Sequence, residues 1–196
     1  MKTALFIMLN EYADWEGAYL ASQLNQAENW QVKTASINST VTSIGGLTTV
    51  VDYQLRHAPT ADLLILIGGN SWNVENSMLL NLVTNHLAAT KPSGAICGAV
   101  DYLAHNGLLT GYQHTGNAQS LWQSYPQYQN PDDFHQQQVV TNQNLVTANG
   151  TAALAFTNSV LKLIKFTTDQ QVDQTTDLYR LGFYQYCQIY GNPFTN

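Results

Sequence analysis

A short apolar run closed by two glycines constrains the fold of this chain more than any other feature. Leu63-Leu64-Ile65-Leu66-Ile67 is continuously apolar, and Gly68-Gly69 follows it directly. A half-buried strand alternates apolar and polar side chains, whereas a strand covered on both faces carries no polar face. The run therefore predicts a central strand of a parallel sheet over Asp62–Ile67, with other elements packed on both of its faces.

Apolar strands and amphipathic helices alternate along much of the chain. The predicted strands are Ala4–Leu9, Gln31–Ile37, Asp62–Ile67 and the short run before Cys97. The predicted helices cover residues 14–28, 74–89, the segment between Cys97 and Asn106, and the segment after Gly150. This alternation predicts an α/β sandwich around a mostly parallel sheet, in a single domain over residues 1–196.

The remaining segments are shorter or less regular. Turn residues predict a pair of short strands around Gly45-Gly46 and a hairpin around Asn142-Gln143-Asn144. Residues 112–136 are rich in Gln, Asn, Tyr and Pro and are expected to form an irregular surface excursion. A helical tail with many aromatic residues is expected at about 169–190.

Cys97 stands at a predicted corner between a strand and a helix. Gly94 precedes it, and Ala99, Val100 and Leu103 recur after it at helical spacing. A side chain at such a corner faces the free N–H groups of the first helical turn, whose partial positive charge favours a thiolate. Hydrolases place their nucleophile at an elbow of this kind. From the corner alone, a reactive thiol and an inert buried thiol are equally compatible with the sequence.

Composition excludes several classes of protein. The chain carries 7 Lys and Arg against 13 Asp and Glu, a net charge of −6, and it has no basic cluster. A nucleic acid or an anionic membrane surface requires such a cluster, so we expect neither as a partner. No apolar segment reaches the ~20 residues that cross a bilayer, and a cytoplasmic protein is expected. We expect no cofactor and no metal site, because no Cys, His or carboxylate residues show ligand spacing.

Five motifs in order resemble the ThiJ/PfpI family, of the class I glutamine amidotransferase-like superfamily that includes the Parkinson-disease-associated protein. The motifs lie between residues 2 and 165 and are Asp14-Trp15-Glu16, Leu66-Ile67-Gly68-Gly69, Ala95-Ile96-Cys97-Gly98, Asn106–Gly111 and Thr147–Ala153. Each motif alone is weak evidence for the family, whereas the occurrence of all five in this order is strong evidence.

The resemblance implies a flavodoxin-like three-layer sandwich that forms a homodimer. It also implies that Cys97 is the nucleophile and that Glu16 exchanges a proton with it. Backbone N–H groups near Gly69 and Gly98 are implied to form an oxyanion pocket for a small-molecule substrate. Trp15 and Trp72 are expected to be walls of that pocket or part of the core.

The chain departs from the family pattern in ways that bear on its chemistry. Peptidase-type members carry a His directly after the nucleophile, where this chain has Gly98, and a classical peptidase is therefore disfavoured. A glutaminase is disfavoured too, because the late His and Glu two residues apart do not occur after Cys97. Many relatives carry another His where Asn117 aligns here, and His114 lies three residues earlier. The third member of the site is thus His114, from a shifted position, or Asn117, or neither.

The sequence predicts a cysteine-dependent hydrolase or lyase that acts on a small carbonyl or amide compound. Hydratase and glyoxalase-like chemistries fit the same residues. One alternative is a redox sensor or stress-response protein, in which Cys97 is oxidised to a sulfenic or sulfinic acid beside Glu16. Another is a ligand-binding member that has lost its catalytic residues. No role is predicted for Cys187.

Overall fold

A central sheet of seven strands forms the middle layer of the computed structural model, which describes residues 1–195. Its strands are β1 (Lys2–Ile7), β2 (Trp30–Ser36), β5 (Tyr53–Gln54), β6 (Leu63–Leu66), β7 (Ser93–Ile96), β8 (Val139–Asn142) and β9 (Leu145–Ala148). A separate antiparallel pair consists of β3 (Thr40–Thr42) and β4 (Thr48–Val50). The helices are α1 (Asp14–Gln26), α2 (Ser77–Ala88), α3 (Gly98–His105), α4 (Ala153–Leu163), α5 (Asp169–Leu181) and α6 (Phe183–Tyr190).

The predicted central strand lies in the middle of the sheet, whose order is β5-β2-β1-β6-β7-β9-β8. All pairings in this sheet are parallel except that of β8 with β9. Leu64 and Leu66 pack on one face with residues of α2 and α3, and Leu63 and Ile65 pack on the other with residues of α1 and α4. The run is continuously apolar because both faces are covered, so the predicted flavodoxin-like α/β sandwich is confirmed.

The carboxyl ends of the parallel strands bring distant parts of the chain to one edge of the sheet. Gly68-Gly69 follows β6, Cys97 follows β7 and Gly150 follows β9. The first turn of α1, which follows β1, adds Glu16 to the same edge. This is the edge at which ligands bind in open α/β sheets.

The segment 112–136 is irregular and lies mostly at the surface, as predicted, but a few of its residues are buried in the core. Trp122 and His114 are completely buried, at 0% exposure. Together with Tyr128 and Phe134 they form an aromatic group, here called the loop cluster, with ring centroids 5.0 to 5.9 Å apart. Their spacing follows neither a helix nor a strand, and the sequence pattern therefore gave no sign of this packing.

The predicted helical tail is present as α5 and α6. Helix α5 packs on α4, and α6 packs on α5. Buried Asp177 joins α5 to α6 by accepting a hydrogen bond from the Tyr190 hydroxyl at 2.7 Å. Across residues 1–195 no helix has the length and apolar character to cross a membrane.

Candidate active site

Cys97 forms the turn between β7 and α3 in a strained backbone conformation. Its φ of 58° and ψ of −131° lie in a region that residues other than glycine rarely adopt. The Cys97 N–H donates to the Ala148 carbonyl at 3.0 Å, and the Val100 N–H donates to the Cys97 carbonyl at 2.9 Å. Such strain costs roughly 1–3 kcal/mol and persists only where surrounding structure enforces it. The predicted strand-to-helix corner is confirmed, with a partly exposed thiol.

Glu16 is completely buried beside this thiol, at 0% exposure. Neither carboxyl oxygen makes a hydrogen bond of good geometry within residues 1–195, and the polar groups beside the carboxyl are the Cys97 thiol and the Gly68 N–H. Burial raises the pKa of Glu16 to about 7, and these two contacts offset only part of that effect. Near neutral pH the Glu16 carboxyl is therefore present in both its protonated and its ionised form, and it can either donate or accept a proton.

Two glycines leave the space in which the carboxyl and the thiol meet. A Cβ at position 150 would lie 2.8 Å from Cys97 Sγ and 3.2 Å from Glu16 Oε1. A Cβ at position 68 would overlap Glu16 Oε2 and lie 2.5 Å from Cys97 Cβ. From the sequence, Gly68 and Gly150 were assigned only to turns and motifs. That they leave space for two other side chains could not be recognised, because those side chains are distant along the chain.

From the sequence, the helix N-terminus was expected to lower the pKa of Cys97, whereas in the structure this pKa is raised. Burial raises the pKa of the thiol and Glu16 adds to the rise, and together they outweigh the hydrogen bonds from Asn117 and from the Gly98 N–H at the helix N-terminus, which lower it. The Cys97 thiol lowers the pKa of Glu16, whereas ionised Glu16 raises the pKa of the thiol, and the pair therefore releases its two protons in separate steps, the carboxyl first. Between those steps the site holds one proton and one negative charge, which thiol and carboxyl can exchange.

Asn117 is the third side chain of the site, after Cys97 and Glu16, and it contacts the thiol. Its amide Nδ2 donates to Cys97 Sγ at 3.3 Å, and its Oδ1 accepts from the Gly150 N–H at 2.9 Å. The Gly150 bond fixes the orientation of the amide, so that an N–H group faces the sulfur. Of the two candidates for the third position, Asn117 is the one in contact with Cys97.

His114 lies in the loop cluster, where both of its ring nitrogens have other partners. Nδ1 is 2.8 Å from the Tyr112 carbonyl and Nε2 is 2.9 Å from the Tyr128 hydroxyl. The carbonyl requires a proton on Nδ1, which leaves Nε2 to accept from Tyr128. Burial lowers the pKa of His114 and favours this neutral form. His114 therefore has no free nitrogen for the thiol, and its catalytic role stays an untested prediction.

A cleft of about 370 Å³ opens beside the elbow, with Gly69 and Gly98 in its wall. Trp72 also lines it and is buried, with its indole N–H donating to the Ile67 carbonyl at 2.8 Å. Gly98 and Gly69 are in close contact, since a Cβ on Gly98 would lie 2.5 Å from the Gly69 carbonyl oxygen. Trp15 is 50% exposed and does not line this cleft. Binding of an oxyanion by the N–H groups of Gly69 and Gly98 stays a prediction.

Comparison with known proteins agrees with this geometry. The model of the DJ-1/PfpI family matches residues 2–163. The chain belongs to this family. It is 49% identical over 197 residues, all of both chains, to a Bacillus subtilis (strain 168) protein named uncharacterized protease YdeA. It is 34% identical over 162 residues to uncharacterized protease YoaZ of the same strain, covering 76% of this chain and 77% of that protein.

Solved structures support the same assignment. The crystal structure of the thiJ/pfpI family protein from Bacillus anthracis has a TM-score of 0.87 and 30% identity, covering 97% of this chain and 98% of that one. That of the DJ-1 superfamily protein Atu0886 from Agrobacterium tumefaciens has a TM-score of 0.84 and 26% identity, covering 92% and 99%. The family predicted from the motifs is confirmed.

On this DJ-1/PfpI fold, two residues that sequence reasoning left without a site role reach the cleft from α3. Asp101 and His105 both line it, and they lie one turn apart on the helix. Asp101 Oδ1 accepts a hydrogen bond from the Trp122 indole N–H at 2.6 Å, which ties it to the loop cluster. The sequence shows that Asp101 and His105 lie one helical turn apart. It does not show that they line a cleft, because the cleft is formed partly by Tyr125, whose position the sequence does not reveal.

Proposed function

We propose that this chain is a cysteine-dependent enzyme acting on a small carbonyl or amide compound. The observation that carries the proposal is the contact between a thiol at a strained elbow and a buried carboxyl whose pKa burial raises to about 7. Perturbed ionisable groups are typical of catalytic sites, and Gly98, the residue after Cys97, lines a cleft. The cleft of about 370 Å³ suits a small molecule. The names of both Bacillus subtilis relatives include the word protease, which fits hydrolysis in general.

For an amide, the reaction begins with transfer of the Cys97 proton to the Glu16 carboxylate as Sγ bonds to the carbonyl carbon. The C=O electron pair moves to the oxygen, which the N–H groups of Gly69 and Gly98 stabilise. The C=O bond then re-forms, the C–N bond breaks, and Glu16 donates its proton to the departing amine. Water hydrolyses the resulting thioester, which releases the acid and restores the thiol.

Before attack, Asn117 contributes by stabilising the developing thiolate. Its N–H group points at Sγ and favours the ionised sulfur. The amide keeps this orientation throughout, because Gly150 occupies its oxygen. Asn117 thus takes the place of an imidazole as a hydrogen-bond donor, while proton transfer belongs to Glu16.

The pH dependence of Cys97 alkylation tests the coupled pair. In a Cys187→Ser background, we expect the alkylation rate to rise in two steps, the first near the Glu16 pKa of about 7. In Glu16→Gln, the first step disappears and the second moves to lower pH, because the repelling carboxylate is gone. A rate profile that Glu16→Gln leaves unchanged would mean that the thiol is not coupled to Glu16, and the proposal would be wrong.

Turnover distinguishes the enzyme from its alternatives. A small amide, a small dicarbonyl compound and an unstructured peptide should be compared as substrates. We expect turnover of one of the small compounds, retained in Cys187→Ser and lost in both Cys97→Ser and Glu16→Gln. Peroxide consumption limited to one equivalent, without turnover of any compound, would favour a redox sensor. Cleavage of the peptide alone would contradict the expectation drawn from Gly98.

A further inference from the structure

A second opening beside the elbow, a cavity of about 600 Å³, is lined mainly by uncharged polar side chains. Most of them are carboxamides, and the opening is here called the amide cavity: Asn117, Gln119, Gln123, Asn149 and the three glutamines at positions 136–138. None of the described residues in its lining is acidic, basic or a histidine. Its volume is within the range of small-molecule sites, about 300–1,000 Å³, but most such sites are predominantly apolar. The amide cavity is therefore suited to a ligand that is polar over most of its surface.

The amide cavity reaches the Cys97 thiol through Asn117. Asn117 lines the cavity, and its Nδ2 donates to Cys97 Sγ at 3.3 Å. Asn149 also lines the cavity and is followed by Gly150, where a Cβ would lie 2.8 Å from Sγ. The cleft of about 370 Å³ contains Gly98, the residue after Cys97, but neither Asn117 nor Asn149. Of the two openings, the amide cavity is the one that includes a side chain bonded to the sulfur.

Some carboxamides of the cavity are fixed by the protein, and others are free to bind a ligand. Gln119 Nε2 donates to the Pro131 carbonyl, and Gln138 Oε1 accepts from the Thr151 hydroxyl at 3.1 Å. The side chains of Gln123, Gln136 and Gln137 are exposed and make no hydrogen bond to other protein groups within residues 1–195. Each of these carboxamides offers an oxygen that accepts and an amino group that donates.

A ligand that fits this lining has to be polar and uncharged. A charged group that gives up its water in the cavity finds no opposite charge there, and its transfer is therefore costly. Hydroxyl groups match carboxamides, because a hydroxyl, like a carboxamide, both donates and accepts. A peptide matches less well, since peptide recognition relies on pockets for alternate side chains. Apart from Phe134, the described lining has no large apolar side chain that would form such a pocket.

We propose that the amide cavity binds a neutral polyhydroxylated compound, such as a small sugar, as the substrate of Cys97. This inference rests on the proposed function and names its substrate class. The carbonyl group of the ligand lies at the elbow beside Asn117, and the part that carries the hydroxyl groups extends into the cavity. Gln123, Gln136 and Gln137 exchange hydrogen bonds to water for hydrogen bonds to these hydroxyls. Phe134 packs against the C–H groups of the ligand.

Protection of Cys97 from alkylation tests this inference with defined probes. Glucose and maltose are the neutral probes, glucosamine and glucuronate add a positive or a negative charge to glucose, and an acetylated triglycine amide represents a peptide. Each is titrated in the Cys187→Ser background against the rate of alkylation by iodoacetamide, and NMR signals of side-chain amides report binding directly. We expect glucose or maltose to bind saturably and to slow alkylation in parallel. Both charged analogues should bind about tenfold or more weakly than glucose.

Substitutions of Gln136 and of a matched glutamine outside the cavity locate the binding groups. Gln136→Leu removes a donor and an acceptor at similar size, and we expect it to weaken binding of the neutral sugar about tenfold. Gln136→Lys adds a positive charge, and we expect it to raise the affinity for glucuronate relative to glucose about tenfold. Gln113 is exposed in the same segment and does not line the cavity. Gln113→Leu and Gln113→Lys should therefore leave both affinities unchanged.

The outcomes separate failure of this inference from failure of the proposed function. The polyhydroxylated substrate alone is overturned if neither neutral sugar binds, if a charged analogue binds more tightly than glucose, or if Gln136→Leu has no effect. Tighter binding of the triglycine amide would assign the cavity to a peptide and overturn it too. Sugar binding that leaves the alkylation rate unchanged overturns the connection with Cys97. An alkylation profile that ignores Glu16→Gln at every pH overturns the proposed function, whether or not a sugar binds.

Discussion

Replacing Glu16 with Gln should stabilise the folded protein at neutral pH, although it removes a residue of the candidate site. Burial raises the Glu16 pKa from its ordinary value of 4.5 to about 7. Below the lower value the carboxyl is protonated in both the folded and the unfolded chain. As the pH rises to about 7, the unfolded chain releases this proton while the folded chain retains it, and the free energy of unfolding falls. At 1.36 kcal/mol per pKa unit the loss is about 3 kcal/mol, and it stays constant at higher pH.

Denaturant unfolding at several pH values measures this effect. The difference in free energy of unfolding between Glu16→Gln and the parent chain should grow by about 3 kcal/mol between acid and neutral pH. The change with pH is the relevant quantity, since an amide and a protonated carboxyl differ in their contacts at every pH. Both proteins should carry Cys187→Ser to prevent disulfide formation during unfolding.

A matched substitution and a clear negative result complete the test. Glu28→Gln removes a carboxylate that is exposed in the fold, and its stability difference should not vary by more than a few tenths of a kcal/mol over the same range. If the Glu16→Gln difference is equally flat, the carboxyl is ionised in the folded protein at pH values far below neutral. The argument for a shared proton at Cys97 would then fail.

Three further substitutions address the contacts around the thiol. Gly150→Ala places a Cβ 2.8 Å from Cys97 Sγ and should slow alkylation by iodoacetamide by about tenfold or more while circular dichroism shows an intact fold. Asn117→Ala removes a bond that lowers the thiol pKa and should raise that pKa, measured by thiolate absorbance. His114→Phe removes both ring bonds and should reduce stability by about 1–3 kcal/mol in denaturant unfolding without abolishing turnover. Loss of turnover at full stability would instead assign His114 to catalysis.

The sequence was sufficient to predict the central strands of the sheet and the pairing of Cys97 with Glu16. Continuous apolar character identifies β6 because a strand covered on both faces has no polar positions. The corner at Cys97 was recognisable because glycine, a strand and a helix follow one another within a few residues. Glu16 entered through its motif, since its position early in a helix is also explained by the helix dipole.

The parts that sequence reasoning missed depend on contacts between distant residues. The direction of the Cys97 pKa is set by burial and by Glu16, 81 positions away along the chain, and neither effect is visible at the corner itself. The loop cluster depends on the packing of Trp122 and His114, which share no periodic spacing. Gly150 contributes by leaving space for the Cys97 thiol and the Glu16 carboxyl. Asp101 lines a cleft only because the segment 112–136, which includes Tyr125, folds over α3.

The contact between Gly98 and the Gly69 carbonyl has a consequence for divergence within the family. Any side chain at position 98 needs space that this carbonyl occupies, and the turn cannot simply retreat, because a Cβ at Gly69 would already lie 2.7 Å from Tyr12 Cα. A lineage with this arrangement cannot acquire a histidine after its nucleophile by one substitution, because the turns after β1 and β6 have to shift as well. A substitution at residue 98 is therefore epistatic with substitutions in these two turns, and we expect them to occur together in related sequences.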